Sequence, residues 1–307
     1  MEYILKTNNI FKCYQKKFNA LNGLSMCIPK GSIYGLVGKN GAGKTTLIRI
    51  ICGLQMPTSG DLELYGKSTK SEEICNERKK VGAVVETPSI YLDMTAEDNL
   101  KLQYRLLGIK DFKGIKDILE LVGLAKTGSK KAKNFSLGMR QRLGIAIALC
   151  GDPEFLVLDE PINGLDPQGI IDIRELILKL NREKNITVLI SSHVLDELAR
   201  LATHYGFVDG GRVVREMSAE EFTNACKKSV RVKVTDIQVL VAFLEKKGIA
   251  YNIIDENTLD MYDNPNFTEF AVELLNEGCS VISMLENDES LESFSCRLLE
   301  ENHEKLA

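Results

Sequence analysis

The stretch Ile33–Thr45, IYGLVGKNGAGKT, decides the fold. Its first six residues form a continuous apolar run that ends in glycine, which is typical of a strand buried on both faces of a parallel sheet. The remainder, from Gly38 to Thr45, fits the pattern G-x-x-x-x-G-K-[ST], and a helix is predicted from near Gly43 to Cys52. This order of strand, glycine-rich loop and helix separates the stretch from an ordinary glycine-rich turn.

The loop pattern predicts a site for the phosphates of a nucleoside triphosphate. Glycines allow successive backbone N–H groups to point inward around phosphate oxygens, and the N-terminus of the helix adds a partial positive charge. Lys44 is expected to reach the β- and γ-phosphates, and Thr45 to hold Mg²⁺. The other loop positions predicted to contact the nucleotide are Gly38, Asn40, Gly41, Gly43 and Thr46. The loop alone leaves kinases, GTPases and ATPases open.

A second motif, which contains two acidic residues, follows later in the chain as Phe155-Leu-Val-Leu-Asp-Glu-Pro161. Its apolar residues predict a buried strand that delivers two consecutive carboxylates to the carboxyl end. Asp159 is then placed to bind Mg²⁺, and Glu160 to orient and polarise an attacking water molecule. Together with the phosphate loop, this pair predicts hydrolysis of the nucleotide.

The remaining patterns predict an α/β fold of the P-loop NTPase class, with a RecA-like parallel sheet and a helical subdomain at about residues 88–152. Further strands are predicted at Val81–Val85, Thr187–Ser191 and Tyr205–Val208, and Thr95-Ala-Glu-Asp98 predicts the start of an amphipathic helix. The nucleotide-binding domain is expected to cover residues 1–217.

Residues 218–307 are predicted to form a small accessory α+β domain. The pattern alternates short strands with helices such as Ile237–Lys247 and Phe267–Glu277, and a ferredoxin-like arrangement is one option for it. This region carries no recognisable chemical motif.

The composition excludes several classes. A net charge of −4 and a pI near 5.6 argue against a dedicated nucleic-acid binder, and the basic run Lys130–Lys133 is interpreted as a solvated loop. Eight scattered cysteines without metal-type spacing indicate a reducing, cytoplasmic location. Neither a signal peptide nor an apolar run of about 20 residues is recognisable, so a membrane role is expected to require a partner chain.

The family is indicated by Phe135–Arg142, FSLGMRQR, which ends 17 residues before Asp159. This segment resembles the LSGGQ signature of ABC ATPases: Ser136 and Gly138 match, and the residues after each of them depart from the pattern. The resemblance implies that the segment binds the γ-phosphate of ATP held by a second subunit. A head-to-tail dimer with a second ATPase subunit is therefore expected on ATP binding. The complete set of motifs favours two copies of this chain, and a heterodimer stays open as the alternative.

Other elements of the same family follow in order. Asp166 lies in a segment that resembles the D-loop at the dimer interface, and His193 occupies the place of the switch histidine, which contacts the γ-phosphate and the catalytic carboxylate. Tyr14, 24 residues before Gly38, corresponds to the aromatic residue that stacks on adenine, with Phe11 and Phe18 as alternatives. The resemblance covers residues 2 to about 217.

One departure from the family's sequence pattern narrows the predicted type of transporter. Glu86 stands where the family usually has a glutamine that approaches Mg²⁺ and couples the ATP site to the membrane subunit. With the variant signature and the ending Ser290–Phe294, this resembles subunits of bacterial bacitracin-resistance and lantibiotic self-immunity exporters. The alternative is a neutral exchange of one oxygen ligand for another. Another cargo, or a soluble ABC ATPase without a transport role, also stays open.

The resemblance as a whole implies an ATPase at the inner face of the cell membrane, attached to an integral-membrane subunit supplied by another chain. ATP and Mg²⁺ are the expected cofactors. No nucleic-acid partner is expected.

Overall fold

The structure is a computed structural model that describes residues 2–14, 18–193, 195–226, 228–263 and 265–306, without the side chains of 18, 228, 287, 288 and 301–306. It divides into two compact units. The first comprises Met1–Ala219 with Leu299–Ala307, and the second comprises Glu220–Leu298.

The first unit combines two sheets with helices. Its strands are β1 (Tyr3–Tyr14), β2 (Phe18–Pro29), β3 (Ile33–Val37), β4 (Ser59–Leu64), β5 (Lys67–Ser68), β6 (Val81–Val84), β7 (Phe155–Asp159), β8 (Thr187–Ser192), β9 (His204–Asp209) and β10 (Arg212–Ser218). Its helices are α1 (Lys44–Ile51), α2 (Ile74–Arg78), α3 (Ala96–Leu106), α4 (Gly114–Leu121), α5 (Leu137–Leu149), α6 (Pro167–Lys184) and α7 (Leu195–Ala199), with short 3₁₀ turns at Ala125–Thr127 and Ala132–Asn134.

The central sheet has the order β10-β9-β3-β8-β7-β6. Strands β6, β7, β8, β3 and β9 are parallel, and β10 joins β9 in an antiparallel pair. Every residue of β3 and β7 is buried, because helices and the second sheet leave no face of these apolar strands to solvent. The parallel arrangement brings the carboxyl ends of β3, β7 and β8 together at one edge, which is where the phosphate loop and the acidic pair begin.

The second sheet, β2-β1-β4-β5, is antiparallel and shares one apolar cluster with β3, β7 and α1. Helix α1 contributes Leu47, Ile48 and Ile51, all fully buried, to this cluster. Each such side chain stabilises the fold by about 1.5–3 kcal/mol relative to exposure. The helix that follows the phosphate loop is therefore anchored by the core.

The helical segment between β6 and β7 begins as its sequence predicts. Thr95 caps α3: its hydroxyl accepts from the backbone N–H of Asp98 at 3.1 Å and donates to the Asp98 carboxylate at 2.7 Å. Strand β6 ends at Val84, one residue earlier than predicted, since the backbone turns immediately afterwards and Glu86 adopts a φ of 61°.

The second unit is an α+β sandwich. Its elements include β11 (Lys228–Val234), α9 (Ile237–Lys247), β12 (Tyr251–Asp255), β13 (Thr258–Met261), α10 (Phe267–Asn276) and β14 (Val281–Asp288). The sheet order β12-β13-β11-β14 with antiparallel neighbours is the ferredoxin-like arrangement. One face packs on α9 and α10 through a separate apolar core. Helix α8 (Ala219–Ala225) precedes β11, and α11 (Leu291–Leu306) follows β14.

Within the part of the chain that the structure describes, no helix combines the length and the apolar character needed to cross a bilayer.

Candidate nucleotide-binding and catalytic site

A cavity of about 310 Å³ lies at the edge where β3, β7 and β8 end. It collects residues from the phosphate loop, the acidic pair, the segment after β8 and the end of β1. The lining residues are Tyr14, Ala20, Asn40, Gly41, Gly43, Lys44, Thr45, Thr46, Glu160, Asn163 and His193.

The shape of the phosphate loop requires glycine at two positions. Gly43 has a φ of 108°, and a Cβ atom there would lie 2.5 Å from the carbonyl oxygen of Ala20. At Gly38 a Cβ atom would lie 2.4 Å from the carbonyl oxygen of Val208. Both distances are shorter than real Cβ contacts, so the two backbone approaches exclude any side chain. The conformation of the phosphate loop therefore depends on Gly38 and Gly43.

The N-terminus of α1 opens into the cavity. No side chain caps it among the described residues, and Lys44, Thr45 and Thr46 all line the cavity. The first backbone N–H groups of a helix have no intrahelical partner and carry a partial positive charge. This end of the helix is therefore suited to bind the oxygens of a phosphate chain.

The side chain of Lys44 is held in the loop rather than in solvent. It is 6% exposed, and its Nζ donates to the carbonyl oxygens of Gly38 at 2.5 Å and Lys39 at 3.2 Å. Burial lowers the pKa of Lys44 below its usual value, and the negative charges of Glu160 and Asp159 partly oppose this shift. The result is a desolvated cation close to the predicted phosphate position.

Asp159 ends β7 with a buried carboxylate. Its Oδ1 accepts a hydrogen bond of 2.6 Å from the hydroxyl of Ser191, whereas its Oδ2 is buried without a hydrogen-bond partner among the described residues. An unpaired buried carboxylate oxygen is costly unless a cation or its water ligand meets it. Carboxylate and hydroxyl oxygens are ligands of Mg²⁺ in proteins, so the donor types of Asp159 and of Thr45, which lines the cavity, fit this ion.

Glu160 points its carboxylate into the cavity from a left-handed backbone. Its φ is 50°, a conformation that costs a non-glycine residue about 1–3 kcal/mol. One carboxylate oxygen lies 2.5 Å from Nδ1 of His193, and the other lies 3.9 Å from Nζ of Lys44. The three predicted catalytic side chains are therefore brought together in this fold.

Tyr14 lies at the side of the same cavity. Its hydroxyl donates to Oε1 of Gln55 at 2.5 Å, and Nζ of Lys12 lies 5.4 Å from its ring centroid. The alternative Phe11 does not line the cavity and packs against Gly23 instead, and the side chain of Phe18 lies outside the described residues. This arrangement favours Tyr14 for contact with a base.

Several predicted residues do not line the cavity of the same chain. Gly38 and Asp159 directly precede or follow lining segments at the ends of β3 and β7, whereas the predicted residues of the signature and D-loop segments lie elsewhere. Ser136 caps α5 by accepting from the N–H of Met139 at 3.2 Å, and Asp166 caps α6 by accepting from the N–H of Gly169 at 3.2 Å. Gly138 lies beside this second cap, since a Cβ atom on Gly138 would lie 3.9 Å from the Cα of Gly169. The signature segment and the start of α6 are thus neighbours, and Ser136, Gly138 and Asp166 do not line the cavity of their own chain.

Glu86 is not brought to the cavity either. Its carboxylate forms an ion pair with Arg49 in the last turn of α1, and its side chain is 55% exposed. The early end of β6 and the left-handed backbone at Glu86 turn the side chain towards that helix end. This arrangement gives no support to the predicted role of Glu86 as a Mg²⁺ ligand.

Ser191 was not predicted as functional, yet it contacts both members of the acidic pair. Asn163, the first residue of the segment that resembles the D-loop, lines the cavity, although only Asp166 was predicted as a contact residue from that segment. Ser191 could have been found from the pairing of the strands, because it lies directly opposite Asp159 in the parallel register of β7 and β8. That register is a property of the folded sheet rather than of either segment alone.

The phosphate loop, acidic pair, signature segment and switch histidine, in this order and on this fold, define an ABC-type ATPase. The chain belongs to the ABC transporter family, whose sequence profile matches residues 21–163. It is 38% identical over 304 residues to the bacitracin transport ATP-binding protein BcrA of Enterococcus faecalis, an alignment that covers 97% of each chain. It is 42% identical over 213 residues to the lantibiotic transport ATP-binding protein SrtF of Streptococcus pyogenes, covering 69% of this chain and 90% of SrtF.

Solved structures agree with this assignment. CbiO1 from Clostridium perfringens, part of the ABC transporter complex cbiONQ, aligns with a TM-score of 0.66 at 27% identity over 73% of this chain and 92% of its own. A dimeric ATP-binding cassette in a post-hydrolysis state, bound to ADP and Pi, aligns with a TM-score of 0.62 at 26% identity, over 70% of this chain and 98% of its own. The predicted family, cassette fold and ATPase activity are confirmed: the chain is the ATP-binding, ATP-hydrolysing subunit of an ABC transporter.

Proposed function

We propose that this subunit powers a separate membrane subunit that exports, or confers immunity to, an antimicrobial peptide such as bacitracin or a lantibiotic. The observation that carries the proposal is the extent of the similarity to BcrA, which covers 97% of this chain and so includes the second unit as well as the cassette. The similarity to SrtF, confined to 69% of the chain, supports the same class of cargo.

In the proposed hydrolysis, the side chains around the cavity have distinct roles. Lys44 binds the β- and γ-phosphates, because its buried ammonium lies at the N-terminus of α1. Glu160 accepts a proton from the attacking water, and His193, 2.5 Å from the Glu160 carboxylate, holds that carboxylate in place and contacts the γ-phosphate. Tyr14 stacks on the adenine, while Gly38, Asn40, Gly41, Gly43 and Thr46 shape the phosphate loop.

Mg²⁺ is proposed as the accompanying ion, held by Thr45 and Asp159. When bound, it supplies positive charge that stabilises the negative charge of the phosphate oxygens. The unpaired Oδ2 of Asp159 supports this assignment, and the exposed, Arg49-bound position of Glu86 leaves that residue out of the proposed ligand set.

Two copies of the chain are proposed to associate when ATP binds. Ser136 and Gly138 would contact the γ-phosphate held by the other copy, and Asp166 would lie at the interface. Their separation from the cavity of their own chain supports this arrangement, as does the existence of a dimeric cassette among the similar structures.

Residues 1–217 are proposed as the nucleotide-binding domain and 218–307 as an accessory domain, with the complex at the inner face of the cell membrane. The partner would be an integral-membrane subunit, because no helix among the described residues is long and apolar enough to span a bilayer.

The proposal is tested by deleting the gene in its host and measuring the minimum inhibitory concentrations of bacitracin and a lantibiotic. Deletion should lower at least one of them fourfold or more. The wild-type gene should restore it, whereas Glu160→Gln should not. Capture of the tagged protein from detergent-solubilised membranes should also recover a polytopic membrane protein.

Unchanged inhibitory concentrations for both compounds would reject the peptide-export role and leave the ATPase assignment intact. Failure to recover any membrane protein would reject the proposed complex with a separate membrane subunit.

A further inference from the structure

Ser191, near the carboxyl end of β8, connects the two acidic residues at the end of β7. Its side chain is fully buried. We propose that Ser191 is a positioning residue for ATP hydrolysis, which holds Asp159 and Glu160 in their working orientations through a single hydroxyl group.

The first contact fixes the Asp159 carboxylate. Ser191 and Asp159 are direct partners in the parallel register of β7 and β8, and the hydroxyl donates to Oδ1 at 2.6 Å. A bond of this kind to a carboxylate is short and strong. With Oδ1 occupied, Oδ2 is the oxygen that lacks a partner among the described residues. The serine therefore decides which carboxylate oxygen is presented to a cation.

The second contact fixes the backbone of Glu160. Its N–H donates to the hydroxyl oxygen of Ser191 at 3.0 Å and to the carbonyl oxygen of Ser191 at 3.2 Å. A left-handed conformation at a non-glycine residue persists only where the surrounding structure imposes it. These bonds impose it here, and the direction of the Glu160 side chain towards His193 and Lys44 follows from it.

Two of these three bonds require a hydroxyl group, whereas the bond from the Glu160 N–H to the backbone carbonyl oxygen of residue 191 does not. The hydroxyl accepts from the Glu160 N–H and donates to the Asp159 carboxylate at the same time, which an alanine methyl group cannot do. Within such a chain each bond polarises the next, so the serine couples the positions of the two acidic residues.

The same strand offers a matched control. Thr187, also fully buried, uses its hydroxyl to accept from the N–H of Gly31 at 2.9 Å. It lies four residues before Ser191, about 13 Å along the strand, and contacts neither acidic residue. Thr187→Val removes one buried hydroxyl from β8 while keeping the shape of the side chain.

The test compares Ser191→Ala, Ser191→Thr and Thr187→Val in the full chain. Three quantities are measured: the unfolding midpoint in urea, kcat and KM for ATP, and the Kd of a non-hydrolysable ATP analogue with EDTA or with Mg²⁺. For Ser191→Ala we expect kcat per nucleotide-binding site to fall tenfold or more. The Kd with EDTA should stay within twofold of wild type, while the Kd with Mg²⁺ should rise about fivefold.

Ser191→Thr, which retains the hydroxyl, should recover kcat to within about threefold of wild type. Thr187→Val should lower the urea midpoint and leave kcat and both Kd values within twofold. The proposal is overturned if Ser191→Ala behaves like Thr187→Val, that is, if it lowers the urea midpoint but leaves kcat per site and the Mg²⁺ dependence of the Kd unchanged. Should Ser191→Ala fail to fold, Ser191→Cys, which keeps the volume and donates only weakly, decides by the same criterion.

Discussion

The ion pair between Glu86 and Arg49 allows the role of this unusual glutamate to be measured. The two side chains are 55% and 33% exposed. Solvent-exposed ion pairs stabilise proteins by about 0.2–1 kcal/mol, because water and salt screen the charges. Glu86→Gln should therefore lower the free energy of unfolding by no more than about 1 kcal/mol, which is roughly a fivefold change in an equilibrium constant.

A double-mutant cycle with Arg49→Gln isolates the interaction between the two side chains. Urea denaturation of the wild type, both single variants and the double variant should give a coupling energy of about 0.2–1 kcal/mol that is reduced in about 1 M salt. Nucleotide affinity, measured in the same proteins with EDTA and with Mg²⁺, should change less than fivefold in Glu86→Gln, because the carboxylate does not line the cavity.

A different result would contradict this reasoning. If Glu86→Gln weakens nucleotide binding tenfold or more with Mg²⁺ but not with EDTA, and Arg49→Gln does not, then Glu86 is a metal ligand. The position seen in the structure would then not be the one that binds nucleotide.

Three further predictions concern the cavity and its partner chain. Glu160→Gln should retain ATP binding and reduce phosphate release by about 10²–10⁴-fold, the usual contribution of a general base; turnover close to wild type would remove Glu160 from that role. The same variant should elute from a size-exclusion column as a dimer with ATP and a monomer with ADP, and adding Ser136→Arg should abolish the shift; equal elution with both nucleotides would argue against a shared γ-phosphate. Burial lowers the pKa of Lys44 in the folded chain. At pH values between that lowered pKa and the usual lysine value, the unfolded chain therefore binds more protons than the folded chain. In this pH range Lys44 should make the free energy of unfolding rise with pH. The difference in urea midpoint between the wild type and Lys44→Met should therefore shift in favour of the wild type as the pH rises towards the usual lysine value of about 10.4, and a constant difference would contradict the shift.

The elements and their local caps could be predicted from the sequence because their signals are local. The apolar run Ile33–Val37, the loop glycines and the following helix lie within twenty residues of one another. Helix α9 begins and ends where predicted, since Asp236 caps its N-terminus and Gly248 takes the left-handed conformation at its end. The proximity of Lys44, Glu160 and His193 could also be predicted, because parallel strands place their carboxyl ends at one edge of the sheet.

The contacts that position these side chains could not be predicted in the same way. Strand β3 pairs with β8 and β9, which lie more than 150 residues further along the chain. The partner of Glu86 is an arginine 37 residues earlier, and the partner of Asp159 is a serine 32 residues later. Residue patterns within a segment do not specify which distant side chain it will face. The family resemblance predicted a chemical role for Glu86, and the fold gives that carboxylate a different neighbour.

Helix α1 connects the phosphate loop with the loop that follows β6. Lys44 and Arg49 are five residues apart, so they lie about 7.5 Å apart along the axis and about 140° apart around it. The first faces the nucleotide cavity and the second holds the loop that follows β6. Leu47, Ile48 and Ile51 anchor the helix with buried apolar surface, whereas the Arg49–Glu86 pair contributes at most about 1 kcal/mol. A displacement of the loop therefore breaks the ion pair before it moves the helix. We therefore expect the phosphate-binding end of α1 to stay in place if a partner chain displaces the loop after β6.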